Sequence, residues 1–266
     1  MQMTNAQEFT NTTKIGGSGD DYIAASDHDK QGNLYVLGYF SGTTSFGSTT
    51  LSSDGGLDLF VLKYNKAGQI VWTQQIGSST NLVAGDLIID GRGNVVVSGV
   101  YDGTIVVYEQ SGDLTASHNH EDIFYVQYDD DDGEVITAGT FGFDYDSSPT
   151  GLASTSGGKV FLGGQIKYAS TNFDGFVSRL NLNGQSFWLE DFGGRGMDVV
   201  NDIALSPSGD LYILEGVRRR IRILNQKGEV STLLDAKSGT FKAGKKESVQ
   251  LLYPSSILFS KTGDLY

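Results

Sequence analysis

Short apolar runs rich in Val, Ile, Leu and Tyr alternate along almost the whole chain with clusters of Gly, Asn, Asp and Ser. The first four runs cover residues 22–26, 34–40, 59–64 and 70–76. β-Branched and aromatic residues in such short runs, bounded by turn formers, predict strands and not helices. The turns follow a rule of their own. First and second runs are joined through Gly32-Asn33, Gly93-Asn94, Gly209-Asp210 and Gly263-Asp264, and third and fourth runs through turns ending at Gly68, Gly133, Gly184 and Gly228. Glycine belongs there because a short hairpin loop needs one left-handed residue.

The runs repeat as phrases. Asp58-Leu59-Phe60-Val61-Leu62-Lys63-Tyr64 returns as Asp122-Ile123-Phe124-Tyr125-Val126-Gln127-Tyr128 and as Asp174-Gly175-Phe176-Val177-Ser178-Arg179-Leu180. A second stretch of fixed length follows each copy, at 69–77, 134–142 and 185–193, with Trp72 and Trp188 at matching places. The phrase Gly32-Asn33-Leu34-Tyr35-Val36-Leu37-Gly38 recurs from Gly93, Gly158, Gly209 and, cut short, Gly263, at spacings of 61, 65, 51 and 54 residues. One such unit cannot bury its own apolar face, so neighbours must stack. The expected fold is all-β, a β-propeller of four-stranded antiparallel blades.

About five blades are expected in one domain spanning 1–266. They divide as 1–77 (an N-terminal closing strand and blade one), 78–142, 143–193, 194–240 and a partial fifth at 241–266. Residues 9–16 align with 70–77, an outer strand without the other three, and the fifth copy stops in its second strand at Tyr266. Four full blades plus one built from both termini is the reading. The missing third strand of that blade favours a fragment of a larger propeller.

Composition removes whole classes of alternative. Thirty-six glycines without a three-residue period fit turn-dense β structure, and three prolines are too few for a linker-rich chain. No apolar run approaches the roughly 18 residues of a membrane helix, and residues 1–14 lack the apolar core of a secretory signal. With no cysteine there is no disulfide framework, thiolate metal site or cysteine nucleophile. The net charge of −13 is uneven: residues 1–216 carry 28 acidic and 9 basic groups, and residues 217–266 carry 4 and 10. The acidic balance argues against nucleic acid as a partner, because that affinity rests on neutralising phosphates.

The pattern Gly16-Gly17-Ser18-Gly19-Asp20-Asp21-Tyr22, Gly32-Asn33-Leu34-Tyr35-Val36, Phe46-Gly47, Asp58, Phe60-Val61 and Trp72 resembles the bacterial β-propeller repeat family called SBBP. The likeness covers residues 15–193, with gaps after 81. From 197 to 266 the chain is more similar to NHL repeats, through Ile203-Ala204, Gly209-Asp210-Leu211-Tyr212-Ile213, Arg220-Ile221 and Tyr253-Pro254-Ser255. Both resemblances imply a propeller, and the first implies a bacterial secreted or cell-surface protein. Neither implies one activity, since sites are grafted on folds.

Several clusters are candidate sites. Arg218, Arg219, Arg220 and Arg222, with Lys242, Lys245 and Lys246, form a basic sector suited to carboxylate or phosphate partners, or to pairing with acidic groups of the protein itself. His118, His120 and Glu121 are weak candidate metal ligands: two imidazoles leave a zinc site short of a third ligand, and the remaining histidine, His28, falls at the opposite rim. No confident metal site follows. The acidic run 129–132 leaves calcium open as the one cofactor, although neutral turns occupy the same place in other copies. No nucleophile elbow, phosphate loop or zinc helix is present.

Antiparallel strands place first–second and third–fourth turns on one rim, and the other links on the opposite rim. The latter vary in length, at 41–57, 102–121, 143–152, 167–173 and 235–252, and loops of varied length on a rigid scaffold are where binding concentrates. The expectation is a non-catalytic binding or scaffold propeller that holds a protein or carbohydrate ligand on that long-link face. The alternative is a propeller lyase or hydrolase with a divalent metal in the central channel.

Overall fold

The computed structural model describes residues 14–108, 114–115, 120–180, 186–193, 196–235, 240–241, 254–260 and 262–266. Every element in them is a strand. Blade one comprises β1 (Asp21–His28) and β2 (Leu34–Phe40), a small hairpin of β3 (Thr43–Phe46) and β4 (Thr49–Ser52), then β5 (Asp58–Tyr64) and β6 (Ile70–Ser78). Blade two comprises β7 (Val83–Ile89), β8 (Val95–Tyr101), a link hairpin of β9 (Thr104–Val107) and β10 (Leu114–Thr115), then β11 (Asp122–Tyr128) and β12 (Val135–Phe141). Blade three is β13 (Asp146–Ser154), β14 (Val160–Ala169), β15 (Asn172–Leu180) and β16 (Ser186–Phe192). Blade four is β17 (Val200–Leu205), β18 (Leu211–Glu215), β19 (Arg220–Leu224) and β20 (Val230–Asp235), extended by β21 (Thr240–Phe241).

Each blade is a consecutive antiparallel meander. The link hairpin of blade two adds to the outer edge of blade one, where β9 pairs with β6. An open edge is thereby covered. First strands meet between neighbours, β1 on β7, β7 on β13 and β13 on β17, so they are the innermost strands. The core is a series of seams between blades. Tyr35, Leu37 and Val61 of blade one pack with Val97, Phe124 and Val126 of blade two. Tyr125 packs with Leu162 and Phe176 across the next seam, and Val177 with Ile203 and Ile213 across the third.

Local packing explains the repeated phrase. Gly38, Gly99 and Gly164 stand opposite Phe60, Phe124 and Phe176 across the two middle strands. A Cβ on Gly99 would lie 2.5 Å from both the Phe124 ring and the Val83 carbonyl, so the ring lies directly on bare backbone. The leading aspartate has a similar partner: a Cβ on Gly142 would fall 1.7 Å from the Asp122 carboxylate. Asp58, fully buried, accepts hydrogen bonds from the backbone N–H of Asp54 and Ser78 and from Gln75 Nε2. The aspartates that open each phrase are therefore parts of the blade.

Two of the expected links are shorter than the sequence pattern indicated. Residues 143–152 are mostly strand, because β13 begins at Asp146 and tolerates Pro149 through a bulge on an inner edge. Residues 167–173 reduce to a tight turn between β14 and β15, with Ala169 opposite Asn172. At the C-terminal end, Ile257 packs with Leu214, Ile221 and Leu234 of blade four. Phe259 pairs with Leu265, and Leu258 and Tyr266 exchange backbone hydrogen bonds, which opens a further hairpin. The expected closing strand at 9–15 lies outside the described residues except for Lys14 and Ile15, of which Ile15 packs on Val36 and Phe60 of blade one.

Candidate functional site

The long-link rim gathers one cluster where blades two and three meet. His120 precedes β11, Tyr145 immediately precedes β13, which Asp146 opens, and Lys167 and Tyr168 lie near the end of β14. Cross-strand register sets Asp146 opposite Lys167. The Asp146 carboxylate lies 3.5 Å from His120 Nδ1 and 3.4 Å from Lys167 Nζ. Tyr145 packs edge-on against Tyr168 with centroids 4.7 Å apart, stacks with His120 at 27°, and remains 42% exposed. Burial, aided by Asp174 and Asp191, pushes the Tyr168 phenol above its usual range. The result is an aromatic shelf with a charged edge, chemistry that suits amphipathic ligands.

The basic sector is engaged in ion pairs within the protein. Arg218 pairs with Asp198, which is 4% exposed, and this hydrogen bond holds the guanidinium above its usual range. Arg220 and Arg222 converge on Glu215, which is 1% exposed. Arg219 occupies the turn between β18 and β19 with a left-handed φ of 53°. Lys242, Lys245, Lys246 and His118 lie outside the described residues. Of the weak metal candidates, His120 belongs to the shelf and Glu121 contributes its carbonyl to Ser147. Among the described residues no group of three or more His, Asp or Glu side chains is arranged around a common point.

The acidic run 129–132 is not simply a solvated turn. Lys63 Nζ donates to the Asp130 carbonyl and carboxylate at 2.8 and 2.7 Å, and Trp72 Nε1 donates to the same carbonyl at 2.9 Å. The Tyr35 hydroxyl donates to the Asp130 carboxylate as well. The third–fourth turn of blade two is thus clasped by a row of side chains from blade one.

Blades three and four meet differently on that same rim. A groove of about 730 Å³ lies between them, with Phe161, Leu205 and Leu224 on its floor and Lys159, Arg179 and Lys227 around it. It opens between the first–second turns of both blades and the third–fourth turn of blade four, on the rim opposite the long links. No carboxylate lines it among the described residues. Sequence reasoning missed this groove because its residues belong to separate copies. Strand register is the signal that would have found it.

Inner strands carry a third set of polar groups. Asp27 Oδ2 accepts the Ile89 N–H, Asp86 Oδ2 accepts the Leu152 N–H, and Asp202 Oδ2 accepts the Ile257 N–H. Each carboxylate reaches forward to the next blade present. Burial, with Asp202 and Asp27 nearby, pushes the Asp86 carboxyl up to about 6. Burial also raises Asp202.

Solved structures agree with this architecture. The chain superimposes on a catalytically inactive virginiamycin B lyase from Staphylococcus aureus, solved with quinupristin, with a TM-score of 0.50 and 12% identity over 95% of this chain and 66% of that one. The fold is a β-propeller. A glucose dehydrogenase is also similar, with a TM-score of 0.48 and 11% identity over 96% of this chain and 83% of that one. No family profile matches the sequence. The regulatory protein FlaEY of Caulobacter vibrioides is 26% identical over 194 residues, which is 66% of this chain and 20% of that protein. The chain therefore spans one fifth of that curated relative. The likeness to the lyase structure carries the fold alone.

Proposed function

We propose that this propeller is a non-catalytic binding scaffold, one module of a larger bacterial secreted or cell-surface protein. It holds a protein or carbohydrate ligand on the long-link rim. The observation that carries the reading is the shelf of His120, Tyr145 and Tyr168, edged by Asp146 and Lys167 and left exposed by a rigid sheet. Resemblance to SBBP repeats supports the secreted or cell-surface placement, and a relative of which this chain spans only one fifth supports its being one module of a larger protein. The test is a screen of the purified chain against arrayed polysaccharides and immobilised envelope proteins, repeated with Tyr145→Ala. Binding lost in the variant at unchanged melting temperature supports the reading. Binding that persists in both Tyr145→Ala and Tyr168→Ala removes the shelf from it.

A second reading, a lyase or hydrolase with a divalent metal in the channel, is favoured by Asp86, whose carboxyl is poised near neutrality beside Asp27 and Asp202 on the innermost strands. Against it stands the use of all three carboxylates as acceptors for inter-blade N–H groups. Turnover of any substrate that needs added metal and disappears in Asp86→Asn would put this reading first.

A further inference from the structure

Twice in this protein a cation rests over an aromatic ring with a carboxylate at its side. Lys63 Nζ lies 5.5 Å from the centroid of the Tyr35 ring and pairs with Asp130. The Arg222 guanidinium lies 5.4 Å from the centroid of the Phe192 ring and pairs with Glu215. A ring face draws a cation because its π-system is negative there. The shelf where blades two and three meet offers the rings and the carboxylate of the same arrangement. Tyr145 and Tyr168 meet edge-to-face with centroids 4.7 Å apart, His120 stacks on Tyr145, and the Asp146 carboxylate lies at the His120 edge. Lys167 Nζ goes to Asp146, and among the described residues no cation lies over either tyrosine ring.

The surroundings of the shelf are acidic. Asp174 and Asp191 lie close enough to Tyr168 to help push its phenol up. Glu121 and Asp144, both exposed, adjoin His120 and Tyr145 in the chain. The positive groups nearby are Lys167, paired with Asp146, and Arg218, which is within range of Asp174 but paired with Asp198. His120 adds a charge only when protonated. Among the described residues, carboxylates thus outnumber cations around the rings, so an anion is repelled there and a cation drawn in.

We propose that the shelf binds a lysine or arginine side chain of a partner polypeptide, with the charged head over the Tyr145 ring and beside Asp146. The inference rests on the reading of the shelf as the ligand site and names the chemistry that the site selects. A long basic side chain suits the place because its methylene stem covers aromatic surface while its head keeps to water and carboxylates. The protein itself uses these residue types at Tyr35 and Phe192. Lys167 is then a competitor for Asp146, and its side chain, 48% exposed, has solvent to turn into when the ligand arrives.

The probe is a fluorescein-labelled peptide, Gly-Lys-Val-Lys-Val-Lys-Gly, titrated with the full chain by fluorescence anisotropy at about 0.15 M salt, where long-range attraction is screened. Saturable binding is expected, and the same peptide with its lysines acetylated should not bind. Affinity should fall about tenfold in Tyr145→Ala, as for loss of a desolvated cation–π contact, and should hold in Tyr145→Phe, which keeps the ring. In Lys167→Gln it should rise about twofold or more, because Asp146 is released to the ligand. Lys30→Gln, which removes the same charge from an exposed turn on the opposite rim, should change it less. Absent saturation overturns the proposal, as does equal binding of the acetylated peptide. If the polysaccharide and envelope-protein screen still shows binding that Tyr145→Ala abolishes, the shelf remains a ligand site and the cationic chemistry alone fails. Peptide binding that survives in both Tyr145→Ala and Tyr168→Ala removes the shelf itself. Unchanged or weaker binding in Lys167→Gln also overturns the proposal, and this variant alters only an exposed side chain, so it decides the matter where a tyrosine variant lowers the melting temperature. A glucosamine hexamer that displaces the peptide at a lower concentration of ammonium groups would assign the site to an amino sugar and defeat the choice of a polypeptide.

Discussion

Trp72 shows how one side chain ties two blades together. Its ring packs against Tyr35 and Tyr128 with centroids 6.2 Å away in both cases, and its Nε1–H donates to the Asp130 carbonyl. Its ring also approaches Gly133 so closely that a Cβ there would lie 2.8 Å from it. Truncating a large aromatic in a core costs about 3–5 kcal/mol, and Trp72→Ala should fall in that range by denaturant titration. A loss below about 1 kcal/mol would mean that the seam closes without it. That Trp72 and Trp188 share a position is legible in the repeat, and the register bears it out: Trp72 stands opposite Lys63 and Trp188 opposite Arg179. The role of Asp130 was not legible. Its partners lie in another copy, 58 to 95 residues away, and nothing local distinguishes a clasped carboxylate from a solvated one.

At the scale of the element, the strand pairs explain why certain positions admit no change. Gly99→Ala should destabilise the chain by about 1–3 kcal/mol, as overpacking of a filled core does, because the Val83 carbonyl that the new methyl meets is backbone and cannot turn aside. Chemical denaturation beside Gly93→Ala, which meets no atom within 4 Å but strains a φ of 102°, separates crowding from backbone strain. In blade four the sensitive feature is electrostatic. Glu215→Gln removes the negative charge shared by Arg220 and Arg222, whose side chains are 18% and 25% exposed. A loss of about 2–4 kcal/mol is expected in a thermal or urea melt, below the full penalty of a broken buried pair because both arginines keep some water. Strands with alternating apolar residues were legible in the sequence. Blade three was read less well, since β13 carries Asp-Ser-Ser-Pro-Thr where its siblings are more apolar, and an inner strand can be polar on its channel side.

Over the whole molecule, the blades are joined by apolar seams and by the forward reach of Asp27, Asp86 and Asp202 from one inner strand to the next. Among the described residues, blade three has no such carboxylate on its inner strand. Gly151 stands in its bulge, where a Cβ would come within 2.9 Å of Asp202 Oδ1, so the glycine makes room for its neighbour's carboxylate. Asp86 makes this joint sensitive to pH. Its folded-state carboxyl is raised from 3.8 to about 6, so the folded state favours the protonated form. The contribution to stability is full below about pH 4 and is lost as pH rises through about 6. At about 1.4 kcal/mol per unit, the group costs the folded state about 3 kcal/mol above neutrality. Asp86→Asn keeps an oxygen to accept the Leu152 N–H and removes the charge. Its melting temperature should match the parent's at pH 4 and exceed it increasingly from pH 5 to 7. Melts of both proteins across that window provide the check. A difference that stays constant with pH would show that the Asp86 charge is solvated after all, and that the inner strands are joined by packing alone.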